Sequence, residues 1–566
     1  MRNKRRISYL STVFAFAILG LFLSRLPIEA QTNDPIPPEV ANHEVEWPLP
    51  NRDYANTRSA VESPIDSTSV NTLQEAWTFA IPGTGPYGAA ASNPVVVDQT
   101  VYFEDLASNI HAINLEDGSV RWQRNFNETA YGPNGPVVAY GKVFAVVGTS
   151  NLAAINAEDG SILWNVRLTE GDVEGITIQP SVYDGLVYVS TVPGSSDQNF
   201  YQGGVAGILY ALDQETGEIV WEFNTVASDD LWGYAEINSG GGAWYPPAID
   251  TTTGDIFFGI GNPGPWPGTE EFPNGTSHPG ANLYTNSMLS LDHASGELQW
   301  FQQVLPHDLF DLDLQISPIL ATIDRYGESR DVVIGAGKMG RVYAFDRATG
   351  DILWQTAVGE HQNDMLDQLP EGEITEVLPG PLGGVETPMA MANDGMIYVP
   401  VVNLPGYYEP GRFVDDRFNF SNATGELVAI DGNTGKIMWQ VNFDTMNIGA
   451  ATVVNDLVFT ATNDGMIYAF DRYTGEQKWS WQAPAGINGW PAVVGETIIW
   501  PAGQGENPTL VALRLSESAA TSTSSESTAC PEAPSQQGTT VAVTETSYNI
   551  ELDQSSAPAG DVTFQI

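Results

Sequence analysis

The sequence predicts an all-β, eight-bladed propeller, and three observations carry the prediction. A short phrase recurs seven times, ending at Trp122, Trp164, Trp221, Trp300, Trp354, Trp439 and Trp479. In every copy an Asp or Asn stands four residues before a Gly, and that Gly four residues before the Trp. Gly and Pro number 56 and 37 among 566 residues, as the many turns of an all-β chain require. No long amphipathic helical pattern follows the first 25 residues, which removes the α/β folds whose strands alternate with helices.

The phrase itself predicts a hairpin. An alternating strand such as Ile208 to Asp213 runs into an Asp-x-x-Thr-Gly turn, and a second strand carries the Trp. Asp and Thr hydrogen-bond nearby amides in such a turn, and Gly tolerates positive φ. One hairpin cannot bury both of its faces, so the repeats must pack on one another. The short Trp-to-Trp spacings fit one four-stranded blade of about 40–45 residues, and the long ones a blade plus an insertion. Trp77 is an eighth Trp without the upstream half of its phrase. The expectation is that Leu510 to Leu515 supplies the missing strand, closing the ring with both ends of a domain spanning residues 45–515 and leaving no open sheet edge.

The flanks are of other kinds. Arg2, Lys4, Arg5 and Arg6 precede an apolar run from Ile7 to Leu23, and Ile28-Glu29-Ala30 resembles a cleavage site. Residues 1–30 therefore read as a signal peptide, with an uncleaved anchor as the alternative, and the expected location is periplasmic or extracellular. Residues 516–538 form a Ser/Thr-rich linker that holds the sole cysteine, Cys530, so no internal disulfide and no Cys-x-x-Cys-His haem attachment exist. Residues 539–566 show strand alternation and a turn at Pro558 to Gly560. This stretch resembles the opening two strands of a cupredoxin domain, without any of the copper ligands found further along such domains.

Net charge is −48, and removing the five basic and one acidic residues of the first 30 takes it to −52. So acidic a surface argues against nucleic acid or anionic membrane as partner. It serves solubility, or it steers a cationic partner such as a basic electron carrier.

The repeated phrase resembles the tryptophan-docking motif of the quinoprotein dehydrogenases, which use pyrroloquinoline quinone (PQQ), and of non-enzymatic propellers related to them. Three further segments extend the resemblance over nearly all of residues 45–515. Glu46-Trp47-Pro48 through Asn51 to Arg58, then Leu73 to Phe79, is similar to the family's opening. Gly259 to Trp266 (GIGNPGPW) is similar to the loop that supplies an Asn ligand to the metal. Pro306 to Asp313 (PHDLFDLD) resembles a His-Asp-x-Trp-Asp segment, with Phe310 in place of Trp.

The resemblance implies a PQQ-dependent dehydrogenase acting on an alcohol, polymeric alcohol or sugar hydroxyl, with an acceptor such as a cytochrome c or a copper protein. It implies Asp311 as general base, and Asn262, Asp311, Asp313 and Gln202 as metal ligands. Hard oxygen donors of this kind suit calcium. An added carboxylate at Asp313 occurs in lanthanide-using members and also in some calcium-type ones, so it does not select a lanthanide. Trp244 would be the floor under the planar quinone, Lys338 a cation at its oxygens, Thr177 a contact to a cofactor carboxylate, and Asn403 a further polar contact. His307 would orient the loop. If the 311–313 segment is extended, Asp311 and Asp313 point to one side.

Each assignment has a structural alternative. Trp244 could be core, Asn262 an Asx turn, Asp311 part of a solvated acidic loop, and Lys338 a plain ion-pair partner. The chain also departs from the family. Gln202 stands where a Glu ligand is usual, Asn134 near a usual Arg, and Ala91 near a usual Glu. The second reading is accordingly a cofactor-free propeller acting as a binding or scaffold module.

Overall fold

A computed structural model describes residues 34–42, 45–169, 173–194, 203–516, 543–546 and 549–552. The expected signal peptide, nearly all of the linker with Cys530, most of residues 539–566, and Gln202 lie outside the described residues. The chain divides into two compact units, Met1–Ser516 and Glu517–Ile566. In the second, Val543–Thr546 pairs antiparallel with Asn549–Leu552.

The first unit is an all-β, propeller-like fold. Among its described residues, eight units, each a sheet built on four antiparallel strands, follow one another along the chain; two carry a fifth strand, Ser59–Ala60 parallel to Thr452–Val454 and Glu174–Ile176 against Leu186–Pro193. The second of the eight is representative. Val137–Ala139, Lys142–Val147, Asn151–Asn156 and Ile162–Arg167 pair in chain order. Burial falls along that order: Lys142–Val147 is buried throughout, whereas Ile162–Arg167 alternates between exposed and half-buried residues. The inner strands are covered on both faces, so they read as near-continuous apolar runs. The outermost strand carries the Trp.

The turn chemistry is as the phrase predicts. In the third unit Asp213 Oδ1 accepts from Thr216 N at 2.8 Å, Asp213 O accepts from Gly217 N at 2.8 Å, and Gly217 adopts φ +72°. Each such Gly also receives the indole of the preceding unit. A Cβ built on Gly118, Gly160, Gly217, Gly296, Gly350, Gly435 or Gly475 would lie 2.5 to 3.0 Å from the ring of Trp77, Trp122, Trp164, Trp221, Trp300, Trp354 or Trp439 respectively. Those seven indole N–H groups donate to backbone carbonyls of the following unit, Leu115, Ala157, Gln214, His293, Arg347, Gly432 and Arg472. Gly thus does two things here: it takes the left-handed turn and lets the indole lie flat on the backbone.

The last unit pairs an early strand with a late one. Leu73–Ala80 pairs antiparallel with Thr509–Leu515, with Leu73 opposite Leu515. One apolar cluster then runs from Leu457 and Phe459 through Ile498 and Leu510 to Val101 and Phe103. Residues 47–60 form a strap against first strands and their lead-in loops. Trp47 bridges to Val96, and the carbonyls of Tyr54, Ala55, Thr57 and Arg58 accept from Ile249, Leu320, Met391 and Val453. Fully buried Arg58 donates to Ala451 O, Thr452 Oγ1 and Pro491 O at 2.9 to 3.0 Å.

The long repeat spacings contain insertions. Val205–Ala206, Ser239–Gly240 and Pro263–Gly264 form one small sheet, and Thr375–Val377, Gly406–Glu409 and Arg412–Phe413 another. In every unit the turn after the second strand and the segment leading into the first strand lie at the same end, because adjacent strands are antiparallel. That end gathers the side chains considered next.

Candidate active site

Asn262 follows the second strand of the fourth unit, Asp255–Gly259, and Lys338 follows the second strand of the fifth, Glu328–Ala336. Trp244 and Asp311 stand in segments leading into the first strands Ala248–Ile249 and Ile319–Arg325. The structure brings these residues together. Lys338 Nζ lies 3.0 Å from Asp311 Oδ2, 2.8 Å from Asp313 Oδ2 and 6.0 Å from the centre of the Trp244 ring. Asp313 Oδ1 accepts from the backbone N–H of Asn262 at 2.6 Å. All of them except half-buried Trp244 are buried.

Local sequence explains how they meet. Gly240, Gly241 and Gly242 before Trp244 all have positive φ, and a Cβ on Gly241 would lie 2.1 Å from Thr225 Oγ1. Gly337, before Lys338, passes so close to Asp313 O that a Cβ would sit 2.0 Å from it. Asp308 organises the acidic loop: its carboxylate accepts from Phe310 N at 2.8 Å, Leu312 N at 2.6 Å and Asn286 Nδ2 at 3.1 Å. The Tyr408 hydroxyl donates to Phe310 O at 3.0 Å. The 311–313 segment is not the extended strand that would align the two carboxylates by alternation. Asp311 has φ +64°, in the left-handed region, and the kink turns both carboxylates onto Lys338. A non-glycine residue held so costs on the order of 1–3 kcal/mol, and such strain concentrates at functional sites.

Electrostatics follow from burial. Asp311 is pushed well above the usual carboxylate range by burial, against the lowering pull of Lys338, with Asp313 adding to the rise. Burial raises Asp308 to about 6, although three N–H donors oppose it. A residue outside the sequence-based expectations joins them. Glu386 is raised to about 8 by burial, with Lys338 lowering and Asp313 raising it. It lies in the unpatterned loop between the fifth and sixth units, where no motif marks it.

The remaining expected residues stand apart. Thr177 is buried and its Oγ1 has no hydrogen-bond partner. Asn134 reaches the adjacent Ile176 carbonyl at 3.5 Å. Both polar ends of Asn403 are used by the scaffold: its Oδ1 accepts from Glu360 N at 2.9 Å, and its Nδ2 donates to Glu426 at 3.0 Å. His307 lies beside His278, ring centres 5.4 Å apart, at the base of the insertion.

The donor set fits a planar anionic cofactor and a hard cation. An indole face with an ammonium group beside it suits a flat, oxygen-rich ring. The orphaned buried hydroxyl of Thr177 suits an oxygen acceptor. Carboxylate and amide oxygens are the donors that calcium takes. Among the described residues, no three His, Cys, Asp or Glu side chains form a metal cage by themselves.

Comparison with known proteins agrees. Residues 47–134 and 170–363 match the family model for the glucose/ethanol/alcohol dehydrogenase β-propeller domain, and residues 406–552 match that for the outer membrane protein assembly factor BamB. The chain is 27% identical over 506 residues to the quinohemoprotein alcohol dehydrogenase of Comamonas testosteroni, covering 78% of this chain and 69% of that protein. It is 27% identical to the quinoprotein alcohol dehydrogenase PedH of Pseudomonas putida, covering 76% of this chain and 81% of that one. Among solved structures, the quinohemoprotein alcohol dehydrogenase from Comamonas testosteroni superimposes with a TM-score of 0.72 at 24% identity, over 83% of this chain and 80% of that one. A europium-containing methanol dehydrogenase also gives 0.72, at 21% identity over 84% and 99%. At such identities the structural likeness speaks for the fold alone. The matched family model and the sequence relatives place this chain in the PQQ-dependent alcohol dehydrogenase-like β-propeller family.

Proposed function

We propose that this protein is an exported PQQ-dependent dehydrogenase that oxidises an alcohol or sugar hydroxyl and passes electrons to a separate carrier. The observation that carries the reading is the convergence of Asp311, Asp313, Lys338 and Asn262 beside Trp244. When bound, the quinone supplies the two-electron acceptor that no side chain can provide. Trp244 offers the flat face on which it rests. Lys338 balances negative charge on its oxygens and holds Asp311 in place. Asp311 takes the substrate's hydroxyl proton, and its low-dielectric surroundings let it keep that proton once transferred. Asn262, Asp311 and Asp313 are the proposed oxygen ligands to calcium or a lanthanide, with Gln202 a proposed fourth. Asp308 holds the loop, and buried Leu309, Phe310 and Leu312 exclude water from its underside.

The same reading extends to architecture. The eight four-strand units are proposed to be eight blades of one closed ring, docked by tryptophan and spanning residues 45–515. A signal peptide (1–30) would precede it, and a linker (516–538) and a cupredoxin-like β segment (539–566) would follow. Relatives described as quinohemoproteins support a cytochrome as acceptor; a copper protein is the other class. Export to the periplasm or beyond rests on residues 1–30 alone.

The test is titration of the purified chain with PQQ in calcium and, separately, in lanthanum, followed by dye reduction across alcohols and sugars. Stoichiometric binding with alcohol-dependent reduction is the expected result. No binding in either metal would contradict it and favour the second reading, a cofactor-free binding propeller. That reading draws on Asn134 and Ala91 standing where the family usually has Arg and Glu, and on the BamB-like match over residues 406–552.

A further inference from the structure

The backbone around Glu386 is fixed on two sides. The Tyr245 hydroxyl donates to Glu386 O at 2.5 Å, and Val385 N donates to Gly337 O at 3.0 Å, next to Lys338. Gly384 passes so close to Lys338 that a Cβ there would lie 2.1 Å from the Lys338 carbonyl. The side chain, by contrast, is barely used. Its Oε2 lies 3.5 Å from Gln315 Nε2, at the long limit of a hydrogen bond, and its Oε1 is buried with no partner. Gln315 in turn accepts from Lys338 N at 3.2 Å, so the same short network holds both residues.

A buried polar oxygen without a partner is uncommon in a native protein, and an absent ligand is one of its standard explanations. Thr177 Oγ1 and Thr387 Oγ1, in segments leading into first strands, are further such atoms. Through Gln315 and Gly384 this loop is tied to the Lys338 backbone, which leaves a spare carboxyl at this site. We infer that Glu386 is a further ligand-contacting residue of this site, donating a hydrogen bond from its carboxyl to an oxygen at the edge of the bound quinone, beside Lys338. The inference deepens the dehydrogenase reading and rests on it. Burial keeps the group largely in its acid form near neutrality, so it has a proton to donate. An ionised carboxylate would instead oppose the negative oxygens of the cofactor.

The experiment uses the full chain in calcium, titrated with PQQ by cofactor absorbance and tryptophan quenching, for the unaltered protein, Glu386→Gln and Glu386→Ala. Gln keeps a donor at the same reach and should bind within about threefold of the unaltered chain. Ala should bind about tenfold more weakly, the loss expected for one good hydrogen bond. An infrared difference spectrum between cofactor-loaded and cofactor-free protein supplies a readout that does not depend on the Ala variant folding. A neutral-carboxyl band should shift on loading in the unaltered chain and be missing from Glu386→Gln. An Ala variant that binds as the unaltered chain does, a Gln variant as weak as Ala, or a carboxyl band that does not move overturns the inference while leaving the dehydrogenase reading intact. Failure of the unaltered chain to bind PQQ overturns both.

Discussion

Replacing Gly350 by Ala tests the contact that joins successive units. Two costs are involved, and the fold contains a control that separates them. Gly350 has φ +78°, and a Cβ there would lie 2.5 Å from Trp300 Cε3. Gly141 has a nearly identical φ of +70°, but a Cβ there meets nothing within 4 Å. Gly141→Ala therefore measures the left-handed backbone alone, about 1–2 kcal/mol. In Gly350→Ala the indole must retreat by about 1 Å to restore ordinary carbon contact near 3.5 Å. That retreat breaks or strains the 2.9 Å hydrogen bond from Trp300 Nε1 to Arg347 O. Lost hydrogen bonding adds about 1 kcal/mol, and crowding of a packed interface about 1–3 kcal/mol. The expected total is about 3–6 kcal/mol, read as a lower urea midpoint with an unchanged slope. In a Trp300→Leu background the same Gly350→Ala change should fall to the Gly141 value, a coupling of about 2–4 kcal/mol. Equal costs at Gly350 and Gly141, or no coupling to Trp300, would refute the docking argument.

The remaining predictions concern buried charge. Glu104 is buried with neither carboxylate oxygen partnered, and burial raises its pKa well above the usual value. A carboxyl raised in the folded state contributes fully below its unfolded pKa and loses that contribution as pH rises. Glu104→Gln should thus match the unaltered chain near pH 4.5 and gain on it by about 1.4 kcal/mol per pH unit above that, until the folded pKa is passed. A stability difference that does not change with pH would count against it. Lys338→Met leaves Asp311 and Asp313 without their shared cation and should cost about 3–5 kcal/mol, partly recovered by added calcium or lanthanum in thermal melts; an unchanged melt would contradict the charge balance drawn here. Arg58→Met removes donors to Ala451, Thr452 and Pro491 and should cost about 3 kcal/mol or more, with faster proteolysis of residues 45–60. A variant as protease-resistant as the unaltered chain would show that the strap is held by other contacts.

What was legible in the sequence is what short-range chemistry encodes. The Asp-to-Gly-to-Trp spacing writes a turn, a left-handed glycine and an outward indole within nine residues, so it can be read without knowing the partner. The pairing of Leu73–Ala80 with Thr509–Leu515 was legible because the phrase ending at Trp77 lacks its upstream half. Asn262, Lys338, Trp244 and Asp311 could be singled out as candidates because each lies in a segment with a distinctive motif. The left-handed turn at Asp311 was not legible, since the loop that contains it is held in part from a distance, by Asn286 on Asp308 and by Tyr408, nearly 100 residues away, on Phe310. The strap over residues 47–60 was equally hidden, because its partners span Val96 to Pro491. Glu386 escaped notice for a different reason. Its loop has no repeat and no motif, and only the approach of Gly337 and Tyr245 in space gives it meaning. Asn403 matched a pattern by position, but its polar groups are taken up by Glu360 and Glu426.

The most direct test of the central claim is single-turnover oxidation of an alcohol by PQQ-loaded protein, comparing the unaltered chain with Asp311→Asn. Asn preserves the size of the side chain and removes its capacity to take the substrate's proton. The account predicts that cofactor binding survives within a few-fold while reduction of the bound quinone slows by about 10²–10⁴-fold, the usual contribution of a general base. Equal rates in the two proteins, with cofactor bound in both, would contradict it.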